Sequence, residues 1–431
     1  MPSPLRGTGP GTIDAVEAGE TAPARERRDE LLDVAWEVAA RDGLAATTYR
    51  NLASEAGTST SPFVRQFPTR PDLLAAIFDR SATGFDGARE EAVAGAGPAG
   101  AIIAEGSAVL AEGEAARDRC RISLDLSFVS LRDPALGRRV RNRERDRGVR
   151  WASLAEAGQA RGEVREDRPA EELADQLGSL LDGLVFASLV YPARLPRRHV
   201  RRLWEDSAPR LLDPAVTPGP HQRLVVPDSS APRPHAPQDP EATRRAQLLA
   251  VAFRVTARDG LDGLSFRALA GEAGTSTTPF THAFGSRRRL LAEMVRATWV
   301  PDPEVERLAA LITSPVDRFF AEWATELSDE PGQVDRDRVY YELHHRALTD
   351  PELAVLMREG DKFGFEASEA LVDVGREQGA VRGDLPAADL VDSLYALVDG
   401  LALRRLLLDE KHPAGYRIAL WEDGGRRMLA P

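Results

Sequence analysis

Thr48-Tyr49-Arg50-Asn51-Leu52-Ala53-Ser54-Glu55-Ala56-Gly57-Thr58-Ser59-Thr60-Ser61-Pro62-Phe63-Val64-Arg65-Gln66-Phe67 is the stretch whose reading decides the fold. It begins as a short helix with Thr48 as N-cap and Tyr49, Leu52 and Ala53 as its apolar positions, ending at Gly57. A three-residue turn follows, and Ser59 is expected to cap a second short helix. Pro62 is tolerated there because the first helical turn has amides without intrahelical partners. Phe63 and Phe67, four apart, turn back onto Leu52, which leaves Thr60, Ser61, Val64, Arg65 and Gln66 outside. This is helix-turn-helix spacing, with a second helix whose polar side chains suit a DNA major groove.

The stretch occurs twice. Displaced by 217 positions, Gly43 falls on Gly260, Ala56-Gly57-Thr58-Ser59-Thr60 on Ala273-Gly274-Thr275-Ser276-Thr277, and Pro62-Phe63 on Pro279-Phe280. The register holds downstream. Asp133-Pro134 meets Asp350-Pro351, Asp182-Gly183-Leu184 meets Asp399-Gly400-Leu401, and Trp204-Glu205-Asp206 meets Trp421-Glu422-Asp423. A repeat this long is a whole folded unit rather than a solenoid element. Two copies in one chain imply a homodimer whose subunits have been joined.

The 431 residues suffice for two such units, each with its own helical core. A net charge of −12 argues against a protein basic all over, while leaving room for a local nucleic-acid footprint. Arginine supplies almost all the positive charge, since Lys362 and Lys411 are the only lysines. Cys120 is the sole cysteine, which excludes an intrachain disulfide and a cysteine-based metal cluster. Residues 1–24 lack the apolar run of a signal peptide. The longest apolar stretches, Leu177–Tyr191 and Leu394–Leu408, are broken by Asp182 and Asp399 and fall short of a membrane span. The expectation is a cytoplasmic protein with no membrane partner.

Along the chain, residues 1–24 read as a disordered tail and the Pro-rich segment 214–240 as a linker. Each unit opens with a head, 25–75 and 241–292, followed by a helical domain, 76–213 and 293–431. Leu31, Leu32, Ala35, Val38 and Ala39 make one apolar stripe at helical spacing, largely repeated by Leu248, Leu249, Ala252, Val255 and Thr256. Gly43 is placed to end that helix. With no alternating run of strand length, the fold class is all-α, two tandem units packed as a pseudo-dimer.

At these residues the chain resembles the TetR family of transcriptional regulators. The likeness rests on the Ala-Gly-x-Ser turn (Ala56, Gly57, Ser59), Phe67, the basic residue before the fourth helix (Arg70 and Arg287), and Leu181-Asp182-Gly183-Leu184 with its echo Val398-Asp399-Gly400-Leu401. It implies a DNA-binding head, a variable helical ligand domain and a four-helix interface between units. The chain departs from the family where an aromatic, most often Tyr, usually sits in the recognition helix: here stand Val64 and Thr281. Thr58 and Thr275 replace the small apolar residue after the turn glycine.

The two heads differ in charge. Arg25–Arg80 holds 8 basic and 9 acidic residues, and Glu241–Ala297 holds 9 basic and 5 acidic, with Arg287-Arg288-Arg289 facing Arg70-Pro71-Asp72 across the repeat. The second head should therefore hold the phosphate backbone harder. Thr48, Arg50, Ser59 and Arg70, with Ser265, Arg267, Ser276 and Arg287, are expected on phosphates. Thr60, Arg65 and Gln66, with Thr277, Thr281 and His282, are expected near base edges, and Ser61 and Thr278 are further DNA-contact candidates. Different readers on one chain need not prefer identical half-sites.

For the regulatory domains the residues offer a candidate ligand site in unit two: Trp323, Tyr340, Tyr341, His344, His345 and Phe363. Unit one carries Gly106, Ser123 and Leu124 where unit two has Trp323, Tyr340 and Tyr341. The same rings at helical spacing also fit an ordinary core. Adjacent His344 and His345 point about 100° apart on a helix and make a poor chelate. The arginine run 138–150 reads as a solvated helix face. No nucleophile elbow, phosphate loop or metal-hydrolase helix is present, so neither an enzyme nor a cofactor is expected. The reading is a DNA-binding regulator, by the family's default a repressor relieved by a small molecule, acting on a double-stranded operator as a monomeric pseudo-dimer. A module that has lost DNA binding and only takes a ligand or protein partner is the alternative.

Overall fold

The computed structural model describes residues 22–218, 240–298, 307, 310–408 and 412–431. The expected tail and linker lie almost wholly outside them. Every regular element among the described residues is helical, and the chain divides into two bodies, residues 1–81 and 82–431.

The first body is the first head. It holds α1 (Ala22–Asp42), a 3-10 turn (Leu44–Ala46), α2 (Tyr49–Glu55), α3 (Ser61–Gln66) and the start of α4 (Arg70–Ala92). Leu31, Ala35, Val38, Leu52, Phe63, Phe67, Leu73 and Ile77 form its core. Thr48 caps α2 as expected, its hydroxyl accepting from the Asn51 amide at 3.3 Å. Gly43 has φ 82 and ψ 164, positive but outside the left-handed helical well, and Gly57 turns the chain between α2 and α3 at φ 59. The cap of α3 differs from expectation. The helix starts one residue later, Thr60 stands at the N-cap, and no side chain bonds to its free amides.

In the second body the first regulatory half consists of α5 (Pro98–Val109), α6 (Glu114–Ser130), α7 (Pro134–Gln159), α8 (Ala170–Val190) and α9 (Arg197–Leu212). The second head follows as α10 (Pro240–Gly263), α11 (Phe266–Glu272), α12 (Thr278–Phe284) and α13 (Arg287–Thr298). The second regulatory half is α14 (Pro315–Ala324), a 3-10 turn (Thr325–Leu327), α15 (Pro331–Ala347), α16 (Pro351–Glu377), α17 (Ala387–Leu408) and α18 (Tyr416–Leu429). The repeat offset survives in the elements: α5 and α14, α6 and α15, α7 and α16, α8 and α17 begin at equivalent positions.

The halves join through α8 against α17, flanked by α9 and α18, in one continuous apolar core that includes Leu177, Leu180, Leu184, Leu394, Leu397 and Leu401. α8 is long and apolar enough to cross a membrane, but it is mostly buried in this core. The joint is self-complementary, as a two-fold interface must be. Arg165 meets Asp423 across it at 2.5 Å, and its repeat partner Arg382 meets Asp206 at 2.9 Å. The repeated Trp-Glu-Asp triplets thus supply one clamp in each direction. Ser207 and Ser393 pair between the clamps at 3.1 Å, and Gln176 donates to the Leu420 carbonyl at 2.7 Å.

Arginines 138–150 correct the expectation of a fully solvated face. Arg147 reaches Asp182 at 2.7 Å with only 16% of its side chain exposed, and Arg150 is bound to Glu105. Asp182 and Glu105 are inward acids that need a counter-charge, and α7 supplies it.

Candidate DNA interface and effector cavity

In both heads the second helix of the motif is held by rings and leaves its polar face free. Phe63 and Phe67, like Phe280 and Phe284, are buried. Thr60, Ser61, Val64 and Arg65 are exposed, with Gln66 half-buried; Thr277, Thr278, Thr281 and His282 are exposed. Arg50, Arg65 and Arg267 are exposed and have no ion-pair partner among the described residues. Ser59 and Ser276 are exposed in the turn. Thr48 and Ser265 serve as N-caps, the latter accepting from the Ala268 amide at 3.2 Å. An equivalent ion pair braces each head, Arg41 with Glu55 at 2.9 Å and Arg258 with Glu272 at 2.7 Å.

Arg70 and Arg287 have local work. Arg70 donates to the Leu44 carbonyl at 3.0 Å, and Arg287 donates to those of Leu261 and Leu264 at 2.7 and 3.1 Å. Each ties the start of its fourth helix to the turn after its first. Thr281 likewise donates its hydroxyl to the Thr277 carbonyl at 3.1 Å.

The second head shares a core with the helices beneath it. Leu261, Leu264, Leu290 and Met294 pack with Val339 and Leu343 of α15 and with Leu353 and Met357 of α16. Asp262 is ion-paired with Arg346.

On the other side of α15 lies a small ring-lined cavity. Its walls include Trp323, Tyr340, Phe365, Tyr395 and, from the first half, Tyr191; Asp361, Asp392 and Asp399 supply its polar surface. Trp323 and Phe365 flank Tyr395 with ring centroids 4.7 and 4.8 Å away. Of the six ligand candidates, Trp323 and Tyr340 line this space. Tyr341 and His344 stand behind it. Tyr341 donates to Asp399 at 2.9 Å, and the His344 ring lies 4.4 Å from that of Tyr340. His345 is elsewhere, stacked on Phe128 at 4.3 Å and bonded to Asp125 at 2.7 Å across the joint between halves. Phe363 corrects the expectation outright, being 78% exposed. It sits two residues from Phe365, on the opposite side of α16.

Burial pushes Asp399 up to about 7, the nearby Tyr341 hydroxyl opposing it, and pushes Asp392 up to about 6 despite Arg194 at 2.7 Å. Asp361 is raised well above the ordinary carboxylate range by burial, and burial holds His344 down to about 3. Reading the sequence missed Phe365, Tyr395 and the three carboxylates. Their signal was present in the repeat, since Phe365 and Tyr395 replace Gly148 and Gly178. A larger cleft of about 920 Å³, open and rich in arginine, lies between the α6–α7 turn, the second head and the second half. It lacks the enclosing rings that would hold an apolar molecule. No group of metal-ligating residues occurs among the described residues.

Comparison with known families agrees with this architecture. The model described as "Bacterial regulatory proteins, tetR family" matches residues 31–77 and 248–294. The model described as "BetI-type transcriptional repressor, C-terminal" matches 106–213 and 315–429. Among solved structures the chain is similar to a transcriptional regulator from Saccharomonospora viridis in complex with choline (28% identity, 42% of this chain and 95% of that one, TM-score 0.39). It is also similar to regulators from Rhodococcus sp. Rha1 (22%, 43% and 92%, 0.38) and Chloroflexus aurantiacus (21%, 43% and 94%, 0.38). No curated protein matches it. With each head and each regulatory half matched in tandem, the chain belongs to the TetR family of transcriptional regulators, two complete units in one polypeptide.

Proposed function

We propose that this DNA-binding regulator is a cytoplasmic, ligand-responsive repressor in which one chain carries both half-site readers and works as a monomer. The observation that carries the reading is the reciprocal joint of α8 and α17, where Arg165–Asp423 and Arg382–Asp206 satisfy the interface within one polypeptide. A self-complementary surface so used is no longer available to a second chain.

DNA recognition is assigned to the exposed motif faces. Arg50, Ser59, Arg267 and Ser276 hold phosphates, with Thr48 and Ser265 presenting capped helix starts. Thr60, Ser61, Arg65 and Gln66, and Thr277, Thr278, Thr281 and His282, reach base edges. Arg70 and Arg287 contribute chiefly by setting their heads' geometry.

The effector is assigned to the ring-lined cavity, because the coupling path is short. Tyr340 packs against both the regulatory core and the core of the second head. On α15 it stands next to Val339, and His344 next to Leu343. The cavity is about 20 Å³, room for about one water. A ligand of several heavy atoms must spread α14, α15 and α16 to enter, and α15 and α16 carry the second head. Ligand affinity then differs between two head arrangements, which is what regulation requires.

A mobility-shift titration with the DNA flanking its own gene, run beside light scattering, tests the reading. Retarded DNA at one chain per operator and a monomer mass support it. A stable dimer of chains, or no DNA binding at low salt, would sink it.

A further inference from the structure

We propose that the arginine-lined cleft between the α6–α7 turn, the second head and α15 binds a small organic molecule carrying two or more phosphate groups. This cleft is separate from the ring-lined cavity, and none of the residues assigned to DNA lines it.

Among the described residues, seven arginines and four acids line the cleft, which leaves some guanidinium groups short of a partner. Three are well served. Arg405 is ion-paired with Asp337, Arg417 with Asp329 at 2.8 Å, and Arg258 with Glu272 at 2.7 Å. The others are not. Arg141 on α7 is half-buried and has no ion-pair or hydrogen-bond partner among the described residues. Arg254 on α10 approaches only Glu272, at 3.9 Å, a carboxylate that Arg258 already holds. Arg338 on α15 is 3.9 Å from Asp335, with side chains 44% and 42% exposed, and such a pair neutralises little. Arg132 meets Glu342 at 3.1 Å, but that carboxylate also accepts the Leu261 amide at 3.2 Å.

These under-served arginines come from three walls. Arg132 and Arg141 belong to the first half, Arg254 to the second head and Arg338 to the second half. The space between them, about 920 Å³, falls within the ~300–1,000 Å³ usual for small-molecule sites. A single carboxylate is too small to reach all three walls. A molecule with several phosphate groups can, and a planar guanidinium holds a phosphate through two parallel bonds. Leu131, Val334 and Leu406 add apolar wall for an organic remainder. No Phe, Tyr or Trp stands among the described lining residues, so charge leads the recognition.

The arrangement is not repeated. Glu37 and Thr349 occupy the positions of Arg254 and Arg132, so one site per chain is expected. The cleft also adjoins the turn that ends α10. A Cβ on Gly260 would stand 2.7 Å from the Arg132 guanidinium carbon, and Glu342 holds the next amide, that of Leu261. A ligand joining these walls binds differently to a second head held in place and to one displaced, which couples it to the head's position.

Calorimetry on the full chain without DNA, at low salt, tests the proposal with pyrophosphate and tripolyphosphate as probes and acetate as a singly charged control. One saturable site per chain is expected for at least one polyphosphate and none for acetate. Arg254→Glu installs the first head's residue at an exposed position and should weaken binding by about tenfold or more. Arg141→Ala should weaken it by about fivefold. Arg145→Glu makes the same charge change on an exposed part of α7 outside the cleft, and should leave affinity within about twofold. Silence from both polyphosphates, unchanged affinity in Arg254→Glu and Arg141→Ala, or an equal loss in Arg145→Glu would overturn the proposal. A mobility shift run in parallel identifies the source of the phosphate. Operator retardation that persists in Arg254→Glu supports a small molecule. Operator DNA that displaces pyrophosphate and is no longer retarded by Arg254→Glu would give the cleft to DNA instead.

Discussion

Gly183 lies so close to Ala396 that a Cβ on the glycine would stand 1.7 Å from the alanine's carbonyl oxygen. The relation is reciprocal, since a Cβ on Gly400 would stand 1.7 Å from the carbonyl oxygen of Ser179. The repeated Asp-Gly-Leu is therefore where two helices cross backbone to backbone. In an open helix site, Gly→Ala stabilises by about 0.4–1 kcal/mol. Here the sign should reverse, with Gly183→Ala and Gly400→Ala each costing about 3 kcal/mol or more, because the obstruction is backbone that cannot rotate away. Gly148→Ala, which meets nothing within 4 Å, is the control and should raise stability. Urea melts of the three variants check the prediction.

The two clamps should be unequal. Asp423 is 10% exposed and serves Arg165, Gln176 and Arg427, whereas Asp206, 25% exposed, serves Arg382, which Asp384 also holds. Asp423→Asn removes the acid shared by Arg165, Gln176 and Arg427, leaves both arginines to the more exposed Asp167, and should cost about 3 kcal/mol. Asp206→Asn should cost clearly less, because one arginine rather than two depends on it and Asp384 remains. Equal losses in denaturant melts would show that the joint does not discriminate between them.

Much of this was legible in the sequence because the repeat acts as a second reading of the same structure. The apolar stripe of α1, the Thr48 and Ser265 caps and the inward phenylalanines are local matters of spacing, and they appear as expected. What failed depends on partners far along the chain. Phe363 and Phe365 cannot be ranked from periodicity alone on a helix contacted from several directions. His345 looked like a pocket residue because its partners, Asp125 and Phe128, are more than two hundred positions away. Arg147 looked solvated because its partner Asp182 lies on another helix, 35 positions on. The capping role given to Ser59 missed by one residue, within the ordinary scatter of helix ends.

DNA binding should respond differently to substitutions in the two heads. Arg267→Ala removes an exposed guanidinium with no internal partner, so affinity should fall for all sequences and the salt slope should flatten by about one. Arg65→Ala should instead relax preference at one half-site, worth about 1–3 kcal/mol of discrimination. Arg287→Ala should also lower thermal stability, since the bonds to Leu261 and Leu264 go with it. Binding-site selection at two salt concentrations, with melting curves, distinguishes the three. An unchanged preference in Arg65→Ala would remove α3 as the reader.

The cavity carboxylates make stability depend on pH in a direction that can be tested. Asp399 is pushed up to about 7 in the folded chain, from an ordinary value near 4. It faces the Tyr341 hydroxyl, with Asp337 the charged neighbour that raises it further; Tyr340, Tyr395 and Asp361 line the same space. A raised carboxylate binds its proton more tightly folded than unfolded. Its stabilisation is complete below pH 4 and is lost as pH rises through about 7. His344, pushed down to about 3, has the opposite sign below its ordinary value of 6.5. The window free of His344 is therefore about pH 6.5–8, where the wild type should lose stability with a slope of up to about 1 kcal/mol per pH unit from Asp399, to which Asp337, also pushed up to about 7 by burial, adds with the same sign. Asp399→Asn cannot titrate and should flatten that part of the curve. Thermal melts of the wild type and Asp399→Asn across this window give both slopes, and a wild-type slope that Asp399→Asn leaves intact would assign the effect to other groups.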